Sequence, residues 1–326
     1  MGYHLHIGAR TRTLVASFIL LSTSFSGFAP KPATAAGKPE PLVILSTTDV
    51  KGKTSPCGCQ IPKGGLSRQA SYSDSIKAQY RQVLVVDNGG FCPEVPNQYE
   101  VAEFLMDAMK RLNHGAVGLG DRDIKYGYAW LKSQQQRTGL PVVCANLLDK
   151  KTGKPAFDPF VITKVGDVKV GVFGLITDKS DLGPARDSLT VQDPMVAAKR
   201  TILEMRRQGA TVVVLLSQLG KVESEDLTTT VDGMDAVIVG RNVPLIQKGR
   251  LIKNTVMCYG GEQGQYMGRT VLTLDARGKV TTGENDMSIL SPAVGEKAEV
   301  LELVKNFEDS NNERMRKTQT EAEPTR

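Results

Sequence analysis

The sequence contains very little histidine and tryptophan. Its 326 residues include three histidines and one tryptophan. His4 and His6 precede an apolar N-terminal stretch, so His114 is the one imidazole in the rest of the chain. A site that needs several imidazoles, as metal ligands or as general bases, is therefore excluded from the region after that stretch.

Other patterns are also missing. After the N-terminal region no apolar run is long enough to span a bilayer core of about 30 Å. Lysine and arginine are scattered among acidic residues, and no internal repeat or haem-attachment motif occurs. These absences argue against a nucleic-acid-binding stripe and against a haem attached covalently to this chain.

The first 35 residues predict a cleaved signal peptide. Arg10 and Arg12 form a basic segment, residues 13–29 are mostly apolar, and Ala33-Thr34-Ala35 fits the small-residue cleavage rule. The apolar stretch contains several serines and threonines and is short for a membrane span. We expect a periplasmic or secreted protein without a stable membrane anchor.

Beyond residue 40, strand-like apolar segments alternate with helix-like segments. Residues 42–47 predict a buried strand, residues 66–80 a helix and residues 83–86 a second strand. Polar residues cluster where the strands end, which predicts an α/β layer fold with its site at that edge. Gly166-Asp167, between two apolar segments, predicts a hairpin.

The composition changes near residue 292. We interpret residues 41–292 as a single domain and residues 293–310 as a charged C-terminal helix. The last segment, residues 311–326, has almost no apolar residues. We expect this segment to be a disordered tail.

Six short motifs follow one another inside the domain. They are Thr48-Asp-Val-Lys-Gly, Gly64-Gly-Leu-Ser-Arg, Val85-Val-Asp-Asn-Gly-Gly, Leu119-Gly-Asp-Arg-Asp-Ile-Lys-Tyr-Gly, Leu216-Ser-Gln-Leu-Gly and Asp235-Ala-Val-Ile-Val-Gly-Arg-Asn. In this order they resemble the N-terminal domain of the periplasmic 5′-nucleotidase branch of the calcineurin-like metallophosphoesterases. The resemblance implies a four-layer α/β/β/α sandwich with a two-metal site at the strand ends. Such sites clamp the attacking and leaving oxygens of a phosphate ester.

Most metal-ligand positions of that family carry other residues here. The family's Asp-x-His reads Asp49-Val50-Lys51, and its bridging aspartate is replaced by Gly90. The remaining three motifs, Gly-Asn-His-Glu, Ser-His and Gly-Gly-His-x-His, read Gly120-Asp121-Arg122-Asp123, Ser217-Gln218 and Gly240-Arg241-Asn242-Val243-Pro244. Without the bridging carboxylate, two cations repel each other at short range. We therefore expect a degenerate two-metal site.

Two interpretations of this site remain open. Lys51, Arg122 and Arg241 introduce positive charge, and they would bind a small anion by charge-assisted hydrogen bonds unless they are ordinary surface bases. Alternatively, oxygen ligands remain that favour one divalent cation such as Mn, Mg or Ca over Zn. Those ligands are Asp49, Asp121, Gln218 and Asn242.

The resemblance also places four cysteines near the same edge, namely Cys57, Cys59, Cys92 and Cys258. Three interpretations are open for them. Disulfides would join Cys57 or Cys59 to Cys92, a strained bond within Cys57-Gly58-Cys59 would favour thiol–disulfide exchange, or the four thiolates would hold Zn or an Fe–S cluster. A fifth cysteine, Cys144, lies in an apolar segment and is expected to be buried.

These patterns predict an exported member of the family with a degenerate two-metal site. Its role would be anion binding, thiol redox chemistry or metal binding, as an accessory protein. One alternative is a divergent metal-dependent phosphohydrolase of the 5′-nucleotidase type. The other is a subunit that associates with a periplasmic redox enzyme or cytochrome. His114 is expected to be a surface turn residue.

Overall fold

A computed structural model describes residues 1–2, 39–95 and 97–322, with side chains up to residue 318. The predicted signal peptide, apart from its first two residues, lies outside the described residues. The described residues from Pro39 onward belong to one compact unit. Within the described ranges no helix is both long and apolar enough to cross a membrane.

The described chain alternates between strands and helices, as the sequence predicts. In chain order the strands are β1 (Leu42–Thr47), β2 (Val83–Asp87), β3 (Ala116–Val117), β4 (Leu147–Asp149), β5 (Phe160–Val165), β6 (Val168–Ile176), β7 (Leu189–Val191), β8 (Val212–Gln218), β9 (Ala236–Val239), β10 (Arg250–Ile252), β11 (Thr255–Tyr259), β12 (Tyr266–Leu274) and β13 (Val280–Ile289). The helices are α1 (Leu66–Lys77), α2 (Tyr99–Arg111), α3 (Asp121–Ile124), α4 (Tyr128–Thr138), α5 (Pro194–Arg207), α6 (Lys221–Thr230) and α7 (Ala298–Ala322).

Two mixed sheets form the centre of the fold. The five-stranded sheet has the order β13-β12-β1-β2-β3, and the six-stranded sheet has the order β10-β11-β9-β8-β6-β5. In the five-stranded sheet, β1, β2 and β3 are parallel to one another. In the six-stranded sheet, β6, β8, β9 and β11 are parallel. Strands β5 and β6 form the predicted hairpin, with Val165 opposite Val168. The parallel strands place their carboxyl ends at one edge of each sheet.

The two sheets pack face to face, and helices cover their outer faces. One apolar cluster contains Leu42 and Ile44 of β1 together with Val172 of β6 and Val214 of β8, so it lies between the sheets. A second joins α5 and α6 to the outer face of the six-stranded sheet. A third packs Ile76 of α1 against the other sheet. The predicted four-layer α/β/β/α sandwich is confirmed.

The C-terminal helix is longer than the sequence analysis predicts. Helix α7 runs from Ala298 to Ala322, so the expected disordered tail of residues 311–326 is wrong as far as residue 322. The tail is polar, but it contains no glycine, and its one proline is Pro324. Its glutamates, lysines and arginines are good helix formers. A Glu313–Lys317 pair with i,i+4 spacing adds to the stability of the helix.

Candidate functional site

The sequence motifs meet where the parallel strands end. Asp49 follows β1, Asn88 follows β2, and Gln218 is the last residue of β8. The backbone N–H of Arg241, which follows β9, donates to Asp49 Oδ2 at 2.9 Å. The edge predicted to carry the site therefore brings both sheets together, as expected for the carboxyl ends of parallel strands.

Asp49 lies at the centre of this edge, and both of its carboxylate oxygens accept hydrogen bonds from the protein. Its Oδ2 also accepts a bond from Thr48 Oγ1 at 3.2 Å, and its Oδ1 accepts one from Gln218 Nε2 at 3.4 Å. Burial raises the pKa of this carboxyl, and the Arg241 N–H bond acts in the opposite direction. Both oxygen atoms of the one unchanged metal-ligand position are thus occupied by hydrogen bonds.

Gln218 presents its amide N–H groups, which are donors, to the space around Asp49. Besides Asp49, its Nε2 lies 3.3 Å from the carbonyl oxygen of Gly89 and 3.4 Å from Thr48 Oγ1. Asn88 Nδ2 donates to Thr48 Oγ1 at 3.2 Å and to the carbonyl of Ser217 at 3.1 Å. The amides of Gln218 and Asn88, together with Asp49 and Thr48, thus link the two sheets by hydrogen bonds.

Two glycines make this close packing possible. A Cβ on Gly90, which has a φ of +74°, would lie 2.4 Å from Asp49 Oδ1. A Cβ on Gly240 would lie 2.2 Å from Thr48 Oγ1 and 2.6 Å from Gln218 Nε2. The position of the family's bridging aspartate therefore has no room for a side chain, because Asp49 already fills that space.

The residues present do not fit a two-metal centre. A cation needs lone pairs directed at it, whereas Gln218 directs N–H groups at this space and the Asp49 oxygens already accept bonds from the protein. Among the described residues no group of three or more His, Cys, Asp or Glu side chains is arranged to hold a metal ion. This conclusion follows from the direction of the Gln218 N–H groups and from the hydrogen bonds that Asp49 accepts.

The predicted cations lie around this centre, and each of them contacts an acidic side chain. Lys51 contacts Glu262 and lies 3.7 Å from Glu94, which is also 3.4 Å from Arg122. Arg241 Nε lies 3.5 Å from Asp121 Oδ2. These carboxylates offset the positive charge that the sequence pattern predicts. Anion binding by Lys51, Arg122 and Arg241 stays a prediction.

Arg122, Asp121 and Asn242 also line a cavity of about 350 Å³ beside the centre. Glu94 and Lys125 complete its charged wall. Acidic and basic groups alternate there, and Lys125 is itself paired with Asp181 at 3.0 Å. The other predicted oxygen ligands, Asp49 and Gln218, are not among the residues that line this cavity.

Known proteins with similar sequences and folds fall in one family. A 2′,3′-cyclic-nucleotide 2′-phosphodiesterase/3′-nucleotidase of Yersinia enterocolitica is 31% identical over 271 residues, which cover 71% of this chain and 39% of that protein. A 5′-nucleotidase precursor of Thermus thermophilus superimposes with a TM-score of 0.73 at 21% identity, over 84% of this chain and 60% of that one. The calcineurin-like phosphoesterase YfkN of Bacillus subtilis gives a TM-score of 0.70 at 21% identity, over 85% and 99%.

The chain belongs to the calcineurin-like metallophosphoesterases. Within them it is similar to the N-terminal domain of the 5′-nucleotidase branch. It spans about two fifths of the length of the Yersinia relative. No protein-family model matches the chain.

Two buried carboxylates at the phosphoesterase edge were not singled out as site residues. Asp123 accepts backbone N–H bonds from Gly90, Cys92 and Gly120 at 2.6 to 2.9 Å, and burial raises its pKa to about 6. Asp87 accepts bonds from Thr47 Oγ1 and the Gly89 N–H, and burial raises its pKa to about 7.

These contacts explain what the two carboxylates do. They hold the turns that follow β2 and β3. The signal that indicates this role is the spacing Gly120-x-x-Asp123, in which an acidic side chain reaches back to the start of a helix.

The expected convergence of four thiols in this phosphoesterase domain is wrong. All five cysteines are free thiols. Cys92 is fully buried in the cluster that contains α2, whereas Cys258 is buried between the two sheets beside Met287. Burial raises the pKa of both thiols. A four-thiolate Zn or Fe–S site does not fit these positions.

Strand alternation explains the position of Cys258. Its neighbours Met257 and Tyr259 pack on the outer face of the sheet, so Cys258 points to the opposite face. Cys144 is buried as expected, and burial raises its pKa to about 12. These two thiols are packing residues.

Cys57 and Cys59 differ from the other three because solvent reaches them. Cys57 is half-buried and Cys59 is exposed. A hydrogen bond between the two thiols and a bond from the Lys63 N–H, 3.4 Å from Cys57 Sγ, lower the pKa of Cys57. The same interaction raises the pKa of Cys59. The pair is thus asymmetric, with one thiol favoured as the thiolate.

His114 is buried instead of lying on the surface. It is 7% exposed, and its Nδ1 lies 3.0 Å from the carbonyl oxygen of Met109 at the end of α2. Burial lowers its pKa to about 4. The imidazole therefore closes the end of a helix and is not part of the candidate site.

Proposed function

We propose that this chain is an exported, non-hydrolytic metallophosphoesterase whose reactive group is the thiol pair Cys57-Gly58-Cys59. It would act as an accessory protein that exchanges disulfides with other molecules. The observation that carries the proposal is the asymmetric, solvent-accessible thiol pair on the loop that follows β1. Export rests on the predicted signal peptide, and an oxidising compartment permits such chemistry.

The edge of the sheets supports the non-hydrolytic part of the proposal. A two-metal hydrolase lowers the pKa of a bound water and clamps the ester oxygens with its cations. Here both oxygens of Asp49 already accept hydrogen bonds from the protein, and a side chain at Gly90 would collide with Asp49. The relatives are named for nucleotide substrates, and we expect their sites to carry other residues at the positions of Gly90 and Gln218.

The thiol chemistry balances without a further reactant. The Cys57 thiolate attacks a disulfide of the partner, forms a mixed disulfide and releases one partner thiolate. Cys59, after losing its proton, attacks Cys57 Sγ, which closes the Cys57–Cys59 bond and releases the second partner thiolate. The partner disulfide is reduced by two electrons, and the loop dithiol is oxidised. Attack by a partner dithiol on the closed loop reverses both steps.

A direct test is oxidation of the reduced mature protein by glutathione disulfide. We expect a disulfide between Cys57 and Cys59, detected by peptide mapping, while Cys92, Cys144 and Cys258 stay reduced. The variant Cys59→Ser should stop at a mixed disulfide with glutathione on Cys57. The variant Cys144→Ala, which changes a buried packing residue, is the matched control and should oxidise as the parent does.

Two results would overturn the proposal. One is a Cys57 that gives no mixed disulfide in the Cys59→Ser variant. The other is a parent protein in which glutathione modifies the two thiols separately and no bond forms between them. Either outcome would leave the loop as a structural feature of the fold.

A further inference from the structure

The segment that carries the thiol pair is held from both of its ends by the C-terminal part of the chain. We define residues 54–63 as the dithiol loop. Glu308 of α7 accepts hydrogen bonds at one carboxylate oxygen from Thr54 Oγ1 at 2.5 Å and from Ser55 Oγ at 2.7 Å. Thr54 is buried, so its hydroxyl depends on this acceptor.

The other end of the loop is held through a buried arginine. Arg68 Nη1 donates to the carbonyl oxygen of Pro62 at 2.7 Å. Its Nη2 lies 3.1 Å from Glu296, which precedes α7. The Arg68 side chain is 8% exposed, so this ion pair is largely shielded from water.

Between these two anchors the loop closes on Cys57. The Cys57 N–H donates to the carbonyl oxygen of Lys63 at 2.9 Å, and the Lys63 N–H lies 3.4 Å from Cys57 Sγ. An N–H group directed at sulfur favours the thiolate form. This contact requires Pro62 and Lys63 to stay close to Cys57. The bonds of Glu308 and Arg68 hold the two ends of the loop and thereby fix that distance.

We propose that Glu296 and Glu308 are positioning residues that hold the dithiol loop closed and thereby set the reactivity of Cys57. The biological meaning of this inference rests on the proposed thiol function. The geometry itself does not, because it concerns one thiol and a small reagent. Glu308 binds Thr54 and Ser55, and Glu296 binds Arg68, so both carboxylates would influence Cys57 through the position of the loop.

The test measures alkylation of Cys57 by iodoacetamide as a function of pH in a Cys59→Ser background. The three buried thiols react slowly in folded protein, so Cys57 dominates the early rate. In Glu308→Ala we expect the rate at pH 7 to fall by about 3- to 10-fold and its midpoint to move to higher pH, since the Lys63 contact loosens. Glu296→Ala should shift the profile in the same direction.

Matched variants separate positioning from general destabilisation. Glu308→Gln keeps an oxygen acceptor and should restore most of the parent profile. Glu302→Ala removes an exposed carboxylate from the same helix and should leave the profile unchanged. Ser55→Ala removes one of the two hydroxyls that bind Glu308, and it should shift the profile in the same direction by a smaller amount. This variant serves as the test if Glu308→Ala folds poorly.

Superimposable alkylation profiles for the parent, Glu308→Ala and Ser55→Ala would overturn the inference. A shifted profile in the Glu308→Ala variant, combined with a protein that keeps both cysteines and forms no Cys57–Cys59 bond with glutathione disulfide, would instead overturn the proposed function and leave the positioning role standing. The two ideas therefore fail in different measurements.

Discussion

At the scale of single residues, neutral amide groups hold the centre of the site together by hydrogen bonds. Gln218 brings an amide group to a position where the family motif has a histidine, and Asn88 adds a second amide beside it. They satisfy Asp49, Thr48 and backbone carbonyls across the two sheets. Because buried polar groups are costly when unpaired, this network stabilises the edge without an ion.

The sequence alone could predict the residues at this edge but not their partners. Each of Asp49, Gln218 and Arg241 follows or ends a strand, and strand ends can be read from apolar segments. Glu94 and Glu262 lie on irregular segments, whose path depends on packing rather than on a periodic pattern. For that reason the neutralisation of Lys51 and Arg122 was not foreseen.

The buried histidine gives a prediction at the residue scale. The pKa of His114 falls from 6.5 to about 4 in the folded protein, so the folded state binds fewer protons than the unfolded state between these values. The stability linked to this group is present above pH 6.5 and is lost as the pH falls towards 4. Its full size is about 3 kcal/mol of unfolding free energy.

Urea unfolding at pH 7 and pH 4.5 measures this effect. His114→Gln can still donate to the Met109 carbonyl, and it should lose less stability than the parent between the two pH values. Proton NMR offers a control, since a protein expressed without residues 1–35 has one histidine and therefore one imidazole titration. A midpoint near 6.5 would show that the imidazole is not buried as described.

At the scale of secondary-structure elements, helix α7 connects distant parts of the domain. Val300 and Val304 join the core cluster that contains α2. Phe307 stacks on Phe104 of α2, with ring centroids 4.0 Å apart and an interplanar angle of 6°. Glu308 then reaches the dithiol loop. The sequence predicted a charged helix here, but its length and contacts depend on tertiary packing that periodicity does not reveal.

The stacked pair gives a prediction at the element scale. Phe307→Ala removes an aromatic ring from a contact with Phe104 and should lower the free energy of unfolding by about 2 kcal/mol. Met315→Ala on the exposed end of α7 should change it by no more than about 0.5 kcal/mol. Urea unfolding of both variants measures the difference. Equal effects would mean that α7 does not dock through its aromatic face.

At the scale of the whole molecule, the sandwich and the metal site are separable. The core between the sheets contains aliphatic residues of β1, β2, β6, β8 and β9, and it does not include Asp49, Asn88, Gln218 or Arg241. A sequence can therefore keep the phosphoesterase fold while the edge acquires a different chemistry. This is why the apolar pattern and motif order predicted the architecture, whereas function had to be argued from individual side chains.

The most direct test of the account is a metal analysis and a hydrolase assay on one sample of purified mature protein. The account predicts no stoichiometric Mn, Zn, Mg or Ca after exposure to these ions and gel filtration. It also predicts no metal-stimulated hydrolysis of bis-p-nitrophenyl phosphate or AMP. Two tightly bound ions per chain, together with turnover that Asp49→Ala abolishes, would contradict it.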